Sequence, residues 1–270
     1  LLGLCEQQNF VKENQMIRYT VIGCRLLAGV SVLAAASAAN AAGSHDPDRS
    51  HYYAPRATAA PVVDGIANEA VWQRAEWRSL DQHWLGPEMT SDDFQGRYKV
   101  AWTEHKLYIL AEFVDDTLRD THRHPLEQYW DDDCLEIFVD EDHSGGNHQY
   151  NHNAFAYHLS LDNQAIDIGT DKQARSYSHH VESRWQQQPD NKFVWEVSID
   201  IYSDAYIDDG EGNVPVALFA GKVLGFMVAY CDNDNSELRE NFIGSEVASG
   251  DHKDRGYIDA DLFGTLELAE

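Results

Sequence analysis

The stretch Arg97-Tyr98-Lys99-Val100-Ala101-Trp102-Thr103-Glu104-His105-Lys106-Leu107-Tyr108-Ile109-Leu110-Ala111-Glu112-Phe113-Val114 decides the fold class. Its first six residues alternate polar and apolar, the period of a half-buried strand. Thr103 to Lys106 is a polar turn. Leu107 to Val114 returns as a second strand rich in residues that suit a pleated, buried surface. Working outward, Cys134-Leu135-Glu136-Ile137-Phe138-Val139 reads as another strand, closed by Asp140-Glu141-Asp142 and Gly145-Gly146. Ala154 to Leu161, Phe193 to Ile199, Leu224 to Tyr230 and Phe263 to Leu268 complete the set. Only Asn68 to Arg74 reads as helical, and briefly. Short strands at fairly regular spacing, without long helices between them, predict an all-β, antiparallel, jelly-roll-like β-sandwich with one short helix near its start. Residues 202–222 are rich in Asp and Gly and read as a long loop. Trp72, Trp102 and Trp195 lie in apolar-patterned segments and are expected in the core.

Upstream of this domain the composition changes. Met16 opens a stretch with Arg18 and Arg25, the apolar run Leu26 to Ala36, and the small-residue pattern Ala39-Asn40-Ala41. That order is expected of a signal peptide over 16–41, and the apolar run is short of the roughly 20 residues that span a bilayer. Residues 1–15 precede Met16 and read as an over-extended gene model. Residues 42–58 carry no period and read as a flexible leader, leaving 59–270 as the β-sandwich. The expected location is therefore outside the cytoplasm, periplasmic or extracellular, without membrane insertion.

The formal net charge is −26. The first 41 residues hold Lys12, Arg18 and Arg25 against Glu6 and Glu13, or +1, so the remainder stands at −27. Such a surface repels phosphate backbones and anionic lipids, which argues against nucleic-acid and membrane-surface partners. Processing would leave two cysteines, Cys134 and Cys231, both in apolar strand-like runs. An oxidising compartment permits a disulfide; two buried free thiols are the equal alternative. No Cys-x-x-Cys occurs, so a thiolate zinc site has no support.

Several separated pieces resemble the family 9 carbohydrate-binding modules. They are Pro61-Val62-Val63-Asp64-Gly65 with Glu69 and Trp72; the hairpin ending in Asp115-Asp116; Trp130-Asp131-Asp132-Asp133-Cys134-Leu135-Glu136-Ile137-Phe138-Val139-Asp140; and Phe226 to Asp234 with Tyr257-Ile258-Asp259 and Phe263-Gly264-Thr265-Leu266. Together they span about 60–270. The resemblance implies a sugar held between two aromatic rings at one end of the sandwich. Trp130 matches the first stacking Trp, and Glu136 matches a Glu that accepts sugar hydroxyls. His158 falls where the family often has Arg, and Tyr257 where a second Trp stands. The partner implied is an oligo- or polysaccharide, met at a terminal sugar. No cofactor is required, and a structural calcium is implied, with Asp140, Glu141 and Asp142 as candidate ligands.

The chemistry fits such a role. The C–H face of a pyranose lies against an aromatic ring while its hydroxyls need donors and acceptors at the rim. Glu136 sits in an apolar strand, where an unpaired carboxylate is costly, so it needs a ligand or a buried Arg. Asp232-Asn233-Asp234-Asn235-Ser236-Glu237 has alternating oxygen ligands but lacks the glycine of an EF-hand. His143, His148 and His152 are expected at the surface. Glycoside hydrolysis needs two carboxyl groups about 5–10 Å apart, and Asp133 and Glu136, three residues apart on a strand, would point to opposite faces. Non-catalytic binding is therefore the reading. A glycoside hydrolase or an accessory domain of one is the alternative, and a haem- or redox-binding sandwich using Met227 or His158 is a third.

Overall fold

The computed structural model describes residues 51–122 and 124–270. The expected extension, signal peptide and first part of the leader fall on residues outside these. Fourteen strands are present among the described residues: β1 (His51–Pro55), β2 (Arg78–Leu80), β3 (Gln82–Leu85), β4 (Phe94–Trp102), β5 (Leu107–Asp115), β6 (Cys134–Asp140), β7 (Phe155–Ser160), β8 (Ala165–Ile168), β9 (Ala174–Ser176), β10 (Val181–Gln187), β11 (Lys192–Ile199), β12 (Val223–Asp232), β13 (Asn241–Gly244) and β14 (Gly264–Ala269). They form two sheets. The larger runs β1-β14-β12-β6-β7-β8-β9, with β13 joining β12 to β3; the smaller runs β10-β11-β5-β4-β2.

The deciding hairpin forms as read, with Trp102 opposite Leu107 and Phe94 opposite Asp115. Its alternation places Tyr98, Val100 and Trp102 of β4, and Leu107, Ile109, Ala111 and Phe113 of β5, in the core between the sheets. Across from them lie Leu135, Ile137 and Val139 of β6 and Leu224, Phe226, Val228 and Tyr230 of β12. Trp72, Trp102 and Trp195 are all buried.

Because a strand's side chains alternate, β6 and β12 also have a second face. Cys134, Phe138, Met227, Ala229 and Cys231 point away from the inter-sheet core into a separate cluster with Trp84, Phe242 and Phe263. The larger sheet is thus buried on both sides, its outer face covered by the segments around residues 148–154 and 246–263. This explains why β6 is buried along its whole length.

Three expectations need correction. The helix at 68–74 is a single 3-10 turn, Ala70–Gln73. Four residues close too few bonds to propagate an α-helix, and the Trp72 indole is instead fixed by Glu69 and Glu196, each at 3.1 Å. Residues 51–55 of the expected leader are strand β1, which pairs in parallel with β14, His51 opposite Thr265 through Pro55 opposite Ala269. That pairing is supplied from the far end of the chain and leaves no local pattern. His148 and His152 are buried, not at the surface. His148 Nε2 lies 2.8 Å from the Gly256 carbonyl, and the His152 ring stacks on Phe155 at 5.0 Å. The long loop at 202–222 carries no helix or strand, as expected. No helix among the described residues is long and apolar enough to cross a membrane.

Candidate functional site

Glu136 and His158 occupy the outer face of the larger sheet at one register position of β6 and β7. A cavity of about 320 Å³ opens above them. Trp130, Glu136, His158 and Tyr257, chosen from sequence, all line it, together with Tyr129, Tyr150, Asn151, Asp167, Arg239, Phe242 and Asp254. The site lies over the sheet face, with Glu136 and His158 turned away from the inter-sheet core; the end of the sandwich implied by the family resemblance is not where these two side chains point.

Each wall has a local cause. Trp130 stands on the turn just before β6, 40% exposed, with its edge against Tyr129 at 4.8 Å. Tyr129 is buried and its ring also meets His158 at 4.8 Å. Tyr257 ends the 3-10 turn Arg255–Tyr257 and is 50% exposed. Gly256, beside it, lies flat on the sheet: a Cβ there would meet the Met227 side chain at 2.2 Å. The turn is tied down by His148, whose N–H donates to the Ile258 carbonyl at 3.1 Å. Two exposed aromatic rings therefore stand on separate, independently fixed segments.

The floor is polar. His158 Nε2 lies 2.9 Å from Glu136 Oε1, the Cys231 thiol donates to the same oxygen at 2.9 Å, and Arg239 Nη1 approaches it at 3.4 Å. Burial pushes the Glu136 carboxyl up, but the His158 charge and hydrogen bond, with Arg239, outweigh it and leave it below the usual range. Burial pushes His158 down, but Glu136 outweighs it and holds the imidazole above its ordinary value. Asp167, from β8, is pushed up to about 7 by burial, against backbone N–H donors from Ala156 and Ile168. Arg239, half-buried, answers the need for an Arg beside Glu136. It comes from the loop between β12 and β13 and lies over the Phe242 ring at 4.1 Å, so nothing in local spacing announces it. Asp167 does carry a signal, a lone acid in the apolar strand Ala165-Ile166-Asp167-Ile168.

Among the described residues the three acids proposed for calcium do not form one cluster: Asp140 and Asp142 meet each other, but Glu141 turns away. Glu141 pairs with Lys222, Asp140 Oδ2 accepts from Gly145 N at 2.7 Å, and Asp142 Oδ1 accepts from Ser144 N at 3.1 Å. Asp115, Asp133 and Asp232 do converge, each offering an oxygen within 4.8 Å of the others, all buried. They come from the end of β5, the start of β6 and the end of β12. Asp232 Oδ1 is buried without a hydrogen-bond partner among the described residues. Burial, together with the Asp115 charge, pushes Asp133 up to about 9 and Asp232 up to about 8; burial pushes Asp115 up to about 6. Crowded carboxylates with an orphaned oxygen are a donor set for a hard divalent cation. Asp133 is thus removed from any pairing with Glu136.

A family model described as carbohydrate family 9 binding domain-like matches residues 63–270. The chain is 28% identical over 208 residues to an exoglucanase, XynX, of Acetivibrio thermocellus, covering 77% of this chain and 16% of that protein. It is 29% identical over 104 residues to endo-1,4-beta-xylanase A of Thermoanaerobacterium saccharolyticum, covering 38% of this chain and 8% of that protein. The chain thus spans less than a fifth of the length of these relatives. A family 9 module from Caldicellulosiruptor kristjanssonii, solved with cellotriose and with glucose, shares the fold at a TM-score of 0.59 and 20% identity, over 81% of this chain. The cellotriose complex is covered to 93% and the glucose complex to 95%.

Proposed function

Since this chain belongs to the carbohydrate family 9 binding domain-like family, we propose that it binds, without catalysis, the terminal sugar of a neutral oligo- or polysaccharide in the cavity above Glu136. The observation that carries this reading is the cavity itself: two exposed aromatic rings over one charged floor. Trp130 and Tyr257 supply the apolar faces for the sugar C–H groups. The three donors on Glu136 converge on Oε1, which reserves Oε2 for a sugar hydroxyl. His158 and Arg239 orient that carboxylate, and Asn151 and Asp167 also line the cavity. The volume suits one pyranose. A ligand of about a dozen heavy atoms at about 0.4–0.6 kcal/mol each gives roughly −5 to −7 kcal/mol, or binding between about 10 μM and sub-millimolar.

Cello-oligosaccharides are the first class to test, because the similar Caldicellulosiruptor module was solved with cellotriose. A glycan array, run with free and with reduced sugar ends, decides both the sugar and the end recognised. Loss of signal on reduced ends assigns the reducing end. The competing reading is hydrolysis, favoured by two carboxyl groups in one cavity, Asp167 raised and Glu136 lowered. Incubation with cellulose, xylan and aryl-glycosides separates the two: sugar release that vanishes in Glu136→Gln makes the chain a hydrolase.

A calcium ion on Asp115, Asp133 and Asp232 belongs to the same proposal. These residues would hold the ends of β5, β6 and β12 together, some distance along β6 from Glu136, and the ion would neutralise acids that burial otherwise penalises. Export is also part of it, supported by the apolar run before Ala39-Asn40-Ala41; the intact mass of the protein recovered outside the cytoplasm tests it.

A further inference from the structure

The two cysteines face each other beneath the floor of this cavity. Cys134, first in β6, pairs directly with Cys231 of β12. Both are free and buried. Cys231 is engaged with the floor as well as with the core. Its thiol donates to Glu136 Oε1 at 2.9 Å, and its sulfur accepts from Arg239 Nη1 at 3.1 Å. One sulfur therefore touches both members of the Glu136–Arg239 pair, which also meet directly at 3.4 Å. The sulfurs of Cys134 and Cys231 and a Glu136 oxygen lie within 4.8 Å of one another. Directly opposed residues of an antiparallel pair have Cα atoms about 4.5–5.5 Å apart, inside the roughly 4.4–6.8 Å range that a disulfide spans. Closing the bond thus needs side-chain rotation and little backbone movement.

We propose that Cys134 and Cys231 form a thiol–disulfide switch under the sugar cavity: the reduced Cys231 thiol sets the Glu136–Arg239 pair for sugar binding, and the disulfide loosens it. This rests on the reading of the cavity as the sugar site. The oxidant is a low-molecular-weight disulfide. One cysteine sulfur attacks it, its S–S bond breaks, and one reagent thiol leaves with a proton. The second cysteine then displaces the second reagent thiol, and the Cys134–Cys231 bond forms. The protein loses two protons and two electrons, and the reagent gains them. Glu136 Oε1 thereby loses its S–H donor. The Cys231 sulfur is drawn to about 2.0 Å from its partner, away from the carboxylate and Arg239. Cys231 acts as a positioning residue, touching no sugar itself. Both thiols are buried in the middle of the larger sheet, so exchange waits on local opening of the fold.

Zinc on Cys134, Cys231 and Glu136 is the rival use of the same atoms. The Arg239 guanidinium, already against the sulfur, opposes a second cation there.

The test uses the full chain and cellotriose as probe, titrated calorimetrically in dithiothreitol and again after equilibration with oxidised glutathione. Intact mass reports the loss of two hydrogens. Oxidised wild type should bind about five- to tenfold more weakly and recover on reduction, the loss of one charge-assisted contact behind the binding carboxylate. Cys134→Ala keeps the Cys231–Glu136 contact and should bind as reduced wild type under both conditions. Cys231→Ala should bind weakly under both. Wild type that loses two hydrogens yet binds unchanged overturns the switch, as does wild type that never loses them. Zinc co-purifying with wild type and lost from both cysteine variants overturns it in favour of a metal site. Reduced wild type that binds no sugar overturns the reading of the cavity itself, a result separate from failure of the switch.

Discussion

Glu136 and His158 are cross-strand neighbours, β6 against β7, with Oε1 and Nε2 2.9 Å apart on the floor of the cavity. Two residues chosen from sequence as separate ligand contacts are each other's partner. A carboxylate in an apolar strand must be paired, and His158 meets that need from inside the protein, so on the proposed reading a sugar would meet Oε2.

The pair sets a stability window. His158 is raised, so its contribution is complete below the unfolded histidine value of about 6.5 and is lost as pH rises through the folded value. Glu136 is lowered, so its contribution is present above the unfolded value and is lost as pH falls through the folded one. Wild type should therefore lose stability both below about pH 4 and above about pH 7 from this pair. Glu136→Gln should cost on the order of 3 kcal/mol near pH 6, because it leaves His158 and Arg239 without their counter-charge, and should flatten the slope on the alkaline side. Urea denaturation at pH 6 and pH 9 measures both, and equal slopes in the two proteins would remove the ion pair from the account.

The two aromatic walls separate binding from folding. Trp130 and Tyr257 are 40% and 50% exposed, so truncating either should leave the melting temperature nearly unchanged. Sugar affinity should fall about tenfold or more for each, as lost stacking of roughly 1–3 kcal/mol implies. Trp102 is 1% exposed and its indole donates to the Ala269 carbonyl at 2.8 Å, so Trp102→Ala should destabilise the fold by about 3–5 kcal/mol. Calorimetric titration and thermal melting of the three variants compare the two behaviours. Normal sugar binding by Trp130→Ala would misplace the site while leaving the fold intact.

What could be read in advance follows from what sequence encodes locally. Alternation over Arg97 to Val114 is a local property, and it placed the hairpin and its inner face. Trp130 and Glu136 share one turn and strand, so their spacing was informative. Arg239 was invisible because it reaches Glu136 from a loop closing β12 to β13, and only the folded sheet sets them side by side. The carboxylate cluster was missed for the same reason. Asp115, Asp133 and Asp232 belong to three distant segments, whereas a run such as Asp140-Glu141-Asp142 advertises itself and then spends its oxygens on its own turn and on Lys222. β1 lacked any period because its partner β14 is more than 200 residues away in the chain.

Gly65 gives the Asp64-Gly65 pair a structural meaning. Its φ is +80°, and a Cβ there would stand 3.1 Å from the backbone of both Trp185 and Gln186. Its N–H donates to Glu196 Oε2 at 3.0 Å, and Asp64 N donates to the same oxygen at 3.2 Å. That carboxylate also receives the Trp72 indole, so Glu196 ties the Asp64-Gly65 turn and Trp72 to β11 together, while Gln186 holds the Asp64 carbonyl at 2.7 Å. Gly65→Ala should cost about 1–3 kcal/mol by forcing a side chain into the left-handed region against the backbone of β10. Chemical denaturation measures it, and sugar affinity should be unchanged because the segment lies on the smaller sheet, away from the cavity.

Calcium should reverse the pH dependence of stability. Burial raises Asp115 to about 6, with the Asp234 and Asp116 charges adding to it; burial and the Asp115 charge raise Asp133 to about 9 and Asp232 to about 8; and Asp234 beside them is raised to about 6 by burial and by Asp116 and Asp93. Groups raised above their unfolded values contribute stability that is complete below about pH 4 and is lost as pH rises through the folded values. In a chelator, then, the melting temperature should fall from pH 7 to pH 9. Asp208, lowered to about 2, acts below this window, and His148, His152 and His180, lowered by burial, oppose the trend only below the unfolded histidine value of about 6.5. With calcium the carboxylates are wanted ionised, so occupancy and stability should rise with pH. A calcium concentration a hundredfold above the dissociation constant adds about 2.7 kcal/mol, or roughly 5–10 °C for a domain of this size. Asp232→Asn removes the orphaned oxygen's charge. It should raise the melting temperature in chelator by relieving the repulsion with Asp133, and should abolish most of the calcium response. Scanning calorimetry at pH 5, 7 and 9, with and without calcium, decides the matter. Parallel curves in chelator and calcium would show that these acids hold no ion, and their raised values would then be a standing cost that Tyr230, Asn233 and the surrounding backbone donors carry alone.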